Sequence, residues 1–253
     1  MKSSYPDEPV SACFTARMEH ANILVQRKGT EMEDEVKRQM SDTLAVGFML
    51  AMAGGFLDVY TYMTRGGVFA NAQTGNIVFM GIRLAEGRFL VAASYLVPIL
   101  SFLAGVMVAE HLRGRFTATG RIHWRQVVLL AEILILAAVA FIPSGAADIW
   151  VNSAVSFVSS LQTHGFQKMV GAPVATTMCT GNLKHAGAAI SLFLKRRERT
   201  DMYLALRYAG LIVSFIIGAV CAVPLTGIMG CAAVLVCCIV MLLVFALMAK
   251  KSV

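Results

Sequence analysis

The sequence predicts an all-α integral membrane protein of about six transmembrane helices plus two short half-helices, arranged as an internal repeat. Of its 253 residues, 57% are hydrophobic and 15% are charged, whereas a soluble domain averages about 45–50% apolar and about 25% charged residues. The apolar residues fall into blocks of roughly 17–24 residues, which is the length that crosses a hydrocarbon core about 30 Å thick. A soluble protein could bury one or two such blocks, but six predict a polytopic membrane protein.

The chain divides into three predicted segments. Residues 1–40 are polar, mixed in charge and without a long apolar run, so we expect a cytoplasmic segment rather than a cleaved signal peptide. Residues 41–143 and 144–249 are expected to form the first and second membrane repeats. The predicted spans are, in order, residues 44–62, 89–112, 126–143, 149–166, 203–223 and 227–248.

A duplicated tripeptide is the observation that predicts the repeat. Thr74-Gly75-Asn76 returns as Thr180-Gly181-Asn182, which lies 106 positions later. Farther along, residues 101–105 resemble residues 214–218 at a spacing of 113 positions. Each half would then consist of a span, a Thr-Gly-Asn segment and two further spans, and internal repeats of this kind are typical of transporters.

Loop charge indicates how the two copies are oriented, because basic loops remain on the cytoplasmic side of a membrane. All the basic loops fall on one side only if neither Thr-Gly-Asn segment crosses the membrane, although Arg83 and Arg88 then lie outside. Each half then has three spans, so the copies are inverted and both termini are cytoplasmic. The basic residues that favour this orientation are Arg27, Lys28, Lys37, Arg38, Arg113, Arg115, Arg121, Arg125, Lys195, Arg196, Arg197, Arg199, Lys250 and Lys251.

The two Thr-Gly-Asn segments are the predicted site for a solute. The threonines are expected to cap the half-helices, the glycines to permit close approach, and the asparagines to offer a donor and an acceptor without charge. The free N–H groups at two such helix starts suit an anion or a polar neutral solute. Alternatively, the motif only caps and packs helices. The predicted substrate-binding residues are Thr74, Gly75, Asn76, Thr180, Gly181 and Asn182.

Three ionisable residues at membrane depth are candidates for proton or ion coupling, because such groups are costly in a bilayer. Asp58, near the end of the first span, could bind a proton or a cation, or could pair with Arg65. Glu132, in the third span, is the deepest acid and is expected to face the bundle interior. His164 stands where the repeat spacing pairs it with Asp58, and histidine titrates near neutral pH. Each residue could instead serve only as a structural hydrogen-bonding group.

The sequence predicts no catalytic residue, metal site or cofactor. Its acids are scattered, it lacks an HExxH motif, and its cysteines show neither metal nor disulfide spacing. We therefore expect a non-enzymatic transporter or channel for an unidentified small solute. The alternatives are a structural or assembly protein and, less favoured, an enzyme that acts on lipid. The expected partners are the lipid bilayer and that solute, with a homo-oligomer left open. The net charge of +7 reflects the basic loops and predicts no nucleic-acid partner.

The chain resembles the YoaK-like membrane proteins, the family of domain of unknown function 1275. The resemblance is carried by Gly55-Phe56-Leu57-Asp58, by residues 67–76 with Gly81, and by residues 167–183 in the second half. It extends over about residues 44–248. The resemblance implies a bacterial inner-membrane protein with about six spans, and it implies no particular activity.

Overall fold

The computed structural model describes residues 43–116 and 124–249, which form α-helices and one short hairpin. The prediction for residues 1–40 lies outside the described residues. The hairpin consists of β1 (Lys168–Met169) and β2 (Ala172–Pro173). The helices are α1 (Leu44–Thr64), α2 (Gln73–Ala85), α3 (Phe89–Phe116), α4 (Trp124–Val139), α5 (Asp148–Gly165), α6 (Cys179–Arg196), α7 (Arg199–Met229) and α8 (Leu235–Ala249), with a 3-10 turn at Gly230–Val234.

The predicted helical class is confirmed, since every predicted span lies wholly or largely in helix. Within the described residues, three helical stretches are long and apolar enough to cross a membrane: Leu44–Thr64, Phe89–Arg115 and Arg199–Ala249. The third stretch bends at Gly230, whose φ of 56° breaks the helix between α7 and α8. The helix α4 has only 16 residues, and α5 is less apolar because it carries buried serine, asparagine and glutamine side chains.

The helices α1 and α7 pack closely and run in the same direction. Gly47, near the start of α1, lies against Leu211 of α7, and Met52, farther along α1, lies against Gly218, farther along α7. A Cβ atom on Gly218 would clash with the Met52 backbone, and one on Gly55 would clash with the backbone of α7. Glycine is therefore required at both positions, as in other membrane helices whose backbones touch.

The helices α3 and α5 form a second pair that also runs in the same direction. Gly105 on α3 lies against Phe157 and Ser160 of α5, where a Cβ would clash with the Ser160 side chain. Five residues farther along α3, Glu110 Oε2 lies 2.6 Å from His164 Nε2. Small residues thus bring these two helices into close contact as well.

The helices α1 and α5 run in opposite directions, which gives the bundle two ends. Leu50, in the first half of α1, faces Gln162 near the end of α5. At the other extreme, Arg65 just past α1 pairs with Asp148 at the start of α5. We call these two ends the His164 end and the Arg65 end.

The helices α4 and α8 complete the apolar core. Leu129 and Leu136 of α4 share a fully buried cluster with Met241 and Val244 of α8, together with side chains from α1 and α5. Burial of this kind orders helices through van der Waals packing, because lipid tails are as apolar as leucine.

The helices α2 and α6 run outward to opposite ends. The Phe79 ring of α2 stacks on Tyr95 of α3 at 5.8 Å, so α2 ends where α3 begins, at the Arg65 end. The His185 ring of α6 stacks on Tyr208 of α7 at 5.2 Å, and α6 ends where α7 begins, at the His164 end.

The hairpin that precedes α6 is an element that the sequence pattern did not predict. Val170 (φ 51°) and Gly171 (φ 74°) form its two-residue turn, and positive φ at both central positions is the geometry of a type I′ turn. Tyr208 Oη donates to Pro173 O at 2.9 Å and ties β2 to α7.

Candidate functional site

The segments that precede α2 and α6 converge on one turn of α1. Asn71 Nδ2 donates to Gly54 O at 2.9 Å. From the other side, Thr176 O lies 2.7 Å from the position that a Cβ on Gly54 would occupy, and Thr177 Cα lies 3.3 Å from it. Gly54 has no side chain, and this allows the second segment to approach. The convergence point is near the middle of α1, which spans Leu44–Thr64.

Helix α5 contributes polar side chains to the same place. Gln162 Nε2 donates to Leu50 O at 3.2 Å and to Thr176 Oγ1 at 3.1 Å. The Thr163 and Thr177 hydroxyl oxygens lie 2.7 Å apart in a hydrogen bond. We call this group the central polar cluster. Its members are Asp58, Asn71, Gln162, Thr163, Thr176 and Thr177.

Asp58 lies between the starts of the two half-helices. Its Oδ1 accepts the backbone N–H of Asn71, just before α2, at 3.3 Å. Its carboxylate is also close enough to act electrostatically on Cys179, the first residue of α6. The N-terminus of a helix carries a partial positive charge that favours a nearby anion. The protein thus supplies its own carboxylate at the position where the sequence predicted an anion or a neutral solute.

Arg65 does not pair with Asp58, so that proposed pairing is wrong. Its guanidinium is fully buried and donates to Asp148 Oδ1 at 3.3 Å, to Ile142 O at 2.8 Å and to Tyr60 Oη at 2.9 Å. These bonds join α1, the segment after α4, and α5. Arg65 therefore closes the bundle at its own end and does not belong to the central polar cluster.

The Thr-Gly-Asn residues themselves lie mostly outside the convergence. Thr74 and Thr180 are exposed second residues of α2 and α6. The N-cap residues are Ala72 and Met178, and neither makes a side-chain capping bond. The predicted capping role of the two threonines is therefore wrong, because each helix begins one residue before its threonine. A Cβ added at Gly75 would meet no atom within 4 Å.

The two asparagines of the motif are buried but differ in role. Asn182 makes two bonds to the backbone of Ala175: its Oδ1 accepts that N–H at 3.1 Å and its Nδ2 donates to that carbonyl at 2.7 Å. Asn76 Nδ2 donates only to Gln73 Oε1, at 3.0 Å. Asn182 thus holds the segment that enters the central polar cluster, whereas Asn76 bonds within its own helix. A Cβ added at Gly181 would meet only the Ala175 Cβ, at 3.8 Å.

Several deeply buried oxygen atoms have no hydrogen-bond partner in the described part of the chain. They include Asn71 Oδ1 and Gln162 Oε1 in the central polar cluster, and both carboxyl oxygens of Glu132. All three residues are buried, Glu132 with 0% exposure. An unpaired buried polar atom costs roughly 1–3 kcal/mol, so these atoms mark a place where a bound group would be stabilised.

His164 lies away from the central polar cluster. It bonds to Glu110 at 2.6 Å and to Gln167 at 3.2 Å, beside an open groove between α3 and α5. This position is at the His164 end of the bundle, next to the basic side chain of Arg113, which lies 3.7 Å from Glu110.

Asn71, Gln162, Thr163, Thr176 and Thr177 were not predicted as site residues from the sequence. A usable signal existed, because Asn71 and Thr177 stand 106 positions apart, the spacing of the duplicated tripeptide. Among the described residues, no group of three or more His, Cys, Asp or Glu side chains is arranged to hold a metal ion.

Comparison with known proteins identifies a family and a relative. Residues 46–248 match the family described as protein of unknown function (DUF1275). The chain is also 27% identical over 180 residues to the UPF0700 transmembrane protein YoaK of Bacillus subtilis strain 168, covering 68% of this chain and 79% of the relative. No solved structure matches.

Proposed function

The chain belongs to the DUF1275 family, and from this premise we propose that it is a transporter or channel for a small solute, with its site at the central polar cluster. The observation that carries the proposal is the convergence at Gly54: Asn71 from one half and Thr176 from the other meet on the same turn of α1. Non-helical backbone at membrane depth is tolerated only where it is buried in protein or lines a water-filled path.

The proposed membrane topology has six crossings and two re-entrant segments. The crossings are α1, α3, α4, α5, α7 and α8. The chain leaves α1 at the Arg65 end, returns inward to Asn71, and comes back to the same end through α2. It leaves α5 at the His164 end, returns inward to Thr176, and comes back through α6. The 13 residues of α2 extend about 20 Å at 1.5 Å per residue, which is too short for a crossing.

The helix contacts support an inverted repeat. Suppose that each helix of the first half, α1 to α4, is exchanged with its counterpart in the second half, α5 to α8, taken in order. The contact of α1 with α7 then becomes the contact of α5 with α3, and the contact of α2 with α3 becomes that of α6 with α7. The same exchange converts the contact of α1 with α8 into that of α5 with α4. Because α1 and α5 run in opposite directions, the halves would be related by an axis in the membrane plane.

Individual contacts follow the same exchange. Gly218 lies against Met52 as Gly105 lies against Phe157. The Asn71–Asp58 contact corresponds to the contact of Thr177 with Thr163. Within this scheme the counterpart of Asp58 is Thr163. The constant spacing of the sequence had instead paired Asp58 with the next residue, His164.

We place the His164 end in the cytoplasm of a bacterial inner membrane. The basic residues Lys195, Arg196 and Arg199 lie at that end, as the positive-inside rule requires. Arg83 and Arg88 at the opposite end lie 2.7 Å and 3.8 Å from Glu86, so one of their two charges is balanced locally. The four basic side chains Lys195, Arg196, Arg197 and Arg199 at the His164 end outnumber these two, so the orientation still follows the basic residues.

Proton or ion coupling would rest on Asp58 and Glu132 rather than on His164. Asp58 accepts a bond from the start of α2 and acts electrostatically on the first residue of α6, and Glu132 is a buried acid without a partner in the described residues. Buried ionisable groups inside a membrane bundle are typical of ion and proton pathways.

Flux through reconstituted protein tests the proposal. Full-length protein in liposomes should show saturable flux of at least one member of a panel of small cations, neutral solutes and anions. Asn71→Leu, which keeps the side-chain size, should lower that flux about tenfold or more, equivalent to roughly 1.4 kcal/mol. Ser94→Ala is the matched control, because that hydroxyl bonds only to Val91 O of its own helix.

Absence of flux for the whole panel, from protein that remains folded and monodisperse, would favour the alternative of a structural or assembly role. In that case the polar residues would serve, like the close glycine contacts at Gly55 and Gly218, only to hold the helices together. Absence of flux together with chemical conversion of a lipid by the protein would instead indicate an enzyme.

A further inference from the structure

We propose that the central polar cluster binds a small monovalent cation held by oxygen acceptors, either an alkali ion or a protonated primary amine. This inference rests on the proposed function and names its substrate class. It follows from which atoms of the cluster are already paired and which are left over.

The leftover atoms in the cluster are acceptors whose orientation is fixed. Asn71 Nδ2 faces Gly54 O, and Gln162 Nε2 faces Leu50 O. Turning either amide over would set its oxygen against a carbonyl oxygen, so the assignment of nitrogen and oxygen is determined by the hydrogen bonds. Asn71 Oδ1 and Gln162 Oε1 are therefore the atoms that lack partners in the described residues.

Two acids, Asp58 and Glu132, lie at the same level of the bundle as these oxygens. Asp58 belongs to the cluster through its bond with the Asn71 backbone. Glu132 lies on α4 one turn beyond Val128, which packs 3.6 Å from the Cβ position of Gly165. The helices α4 and α5 run in opposite directions, so one turn forward on α4 corresponds to one turn back on α5. Glu132 therefore lies at about the same level along the bundle axis as Gln162.

The basic residue that follows Asp58 most closely along the described chain is Arg65, and it does not pair with Asp58. Its guanidinium donates instead to Tyr60, Asp148 and Ile142 at the Arg65 end. The acids and the unpaired amide oxygens supply oxygen acceptors for a cation, and a cation in turn stabilises an ionised carboxylate, since buried charges are stabilised mainly by pairing.

An anion would be disfavoured at the same place. The start of α2 already donates a backbone N–H to the Asp58 carboxylate, so a second anion would be repelled by Asp58 and would meet the oxygens of Asn71 and Gln162. Two helix N-termini without a neighbouring acid would favour an anion, whereas the cluster with Asp58 favours a cation. Ammonium groups carry three donors and no acceptor, and alkali ions likewise take oxygen ligands, so both satisfy the leftover atoms.

Thermal unfolding and flux of the full-length protein test the inference. The cation arms are sodium, potassium and methylammonium chloride, which also distinguish an alkali ion from an amine. The other arms are urea and glycerol as neutral solutes, and choline acetate and choline phosphate as anion sources. Ionic strength is matched with choline chloride, whose quaternary nitrogen has no N–H donor.

We expect at least one cation arm to raise the unfolding temperature, because a ligand that binds only the folded state stabilises it, and to give saturable flux. Glu132→Gln and Gln162→Met should each raise the half-saturating cation concentration about tenfold, while Ser94→Ala should leave it unchanged. If a variant fails to fold, the wild-type protein still tests the inference, because a cation site requires that cations stabilise it and are transported in preference to neutral solutes and anions.

Two other results would overturn the inference, and they separate it from the proposed function. Stabilisation and flux by neutral solutes or anions, without an effect of any cation, would refute a cation site and leave transport intact. No effect and no flux in every arm would remove both the cation site and the transport function.

Discussion

Asn71 and Gln162 come from opposite halves of the chain, yet their amide nitrogens donate to carbonyls one turn apart on α1. Asn71 Nδ2 lies 2.9 Å from Gly54 O, and Gln162 Nε2 lies 3.2 Å from Leu50 O. A single turn of α1 thus orients both side chains. It follows that neither half of the chain contains the central polar cluster by itself.

The contact between α1 and α7 should be the most sensitive packing site in the bundle. Gly55→Ala would set a methyl group against the backbone of α7, and backbone cannot move aside as a flexible side chain can. Overpacking of this kind costs about 1–3 kcal/mol or more. We expect a clear fall in the unfolding temperature, measured in detergent by the loss of monodisperse protein on heating.

Gly187→Ala is the matched control for that experiment. Gly187 lies in helix α6 with no atom within 4 Å of its Cβ position, and alanine is favoured over glycine in a helix by roughly 1 kcal/mol. The unfolding temperature should stay constant or rise slightly. Equal losses for Gly187→Ala and Gly55→Ala would show that the α1–α7 contact is not specially close.

Arg65 should stabilise the fold far more than another arginine at the same end of the bundle. Arg65→Met removes a buried guanidinium and leaves Asp148 without its partner, and breaking a buried pair in this way costs roughly 3–5 kcal/mol. Arg83→Met removes only a partly exposed pair with Glu86, so its unfolding temperature should change little. A similar stability of the two variants would contradict the proposed closure by Arg65.

The proposed topology predicts that Arg83 and Arg113 lie on opposite sides of the membrane. Arg83→Cys and Arg113→Cys, each introduced alone, should react with a membrane-impermeant maleimide from the outside and from the inside respectively. The parent protein provides the background from its native cysteines. Labelling of both positions from the same side would contradict the six-crossing inverted arrangement.

The helices of the fold were predictable because each leaves a local mark in the sequence. Long apolar blocks mark the helices, and the duplicated tripeptide marks both half-helices at matched positions. The hairpin at β1 and β2 left no such mark, because two-residue strands are too short for a period. Its turn also contains Val170 at positive φ, which β-branched residues rarely adopt.

The site was predicted only in part, because its residues are brought together by long-range contacts. Asp58 and Glu132 drew attention as charges in apolar surroundings. Asn71 and Gln162 are ordinary polar residues in the sequence, and their shared role depends on carbonyls of α1 that are 17 and 112 residues away. The threonines were misassigned as caps because the exact start of a helix depends on such contacts as well.

His164 should have little influence on flux, although its place in the sequence made it a coupling candidate. His164→Gln removes the bond to Glu110 at the His164 end and leaves Asp58 and Gln162 untouched. Flux should remain within about twofold of the wild type, since a surface pair contributes about 0–1 kcal/mol. A loss as large as that of Asn71→Leu, at unchanged stability, would place His164 on the solute path.

The two asparagines of the repeated tripeptide should respond differently to the same substitution. Asn182→Ala removes both bonds to the Ala175 backbone and frees the segment that carries Thr176 into the central polar cluster. Asn76→Ala removes one bond to Gln73. We expect Asn182→Ala to lower stability by roughly 1–3 kcal/mol, at least twice the effect of Asn76→Ala, because each net hydrogen bond contributes about 0.5–1.5 kcal/mol.

Asn182→Asp separates the two bonds of Asn182. An aspartate retains an oxygen for the Ala175 N–H but sets its second oxygen against the Ala175 carbonyl in a buried position, so its stability should fall below that of Asn182→Ala. Flux should follow the same order, because the position of Thr176 depends on this segment. If Asn76→Ala and Asn182→Ala proved equally harmful, the asparagines would act through a shared feature of the motif rather than through the Ala175 contacts.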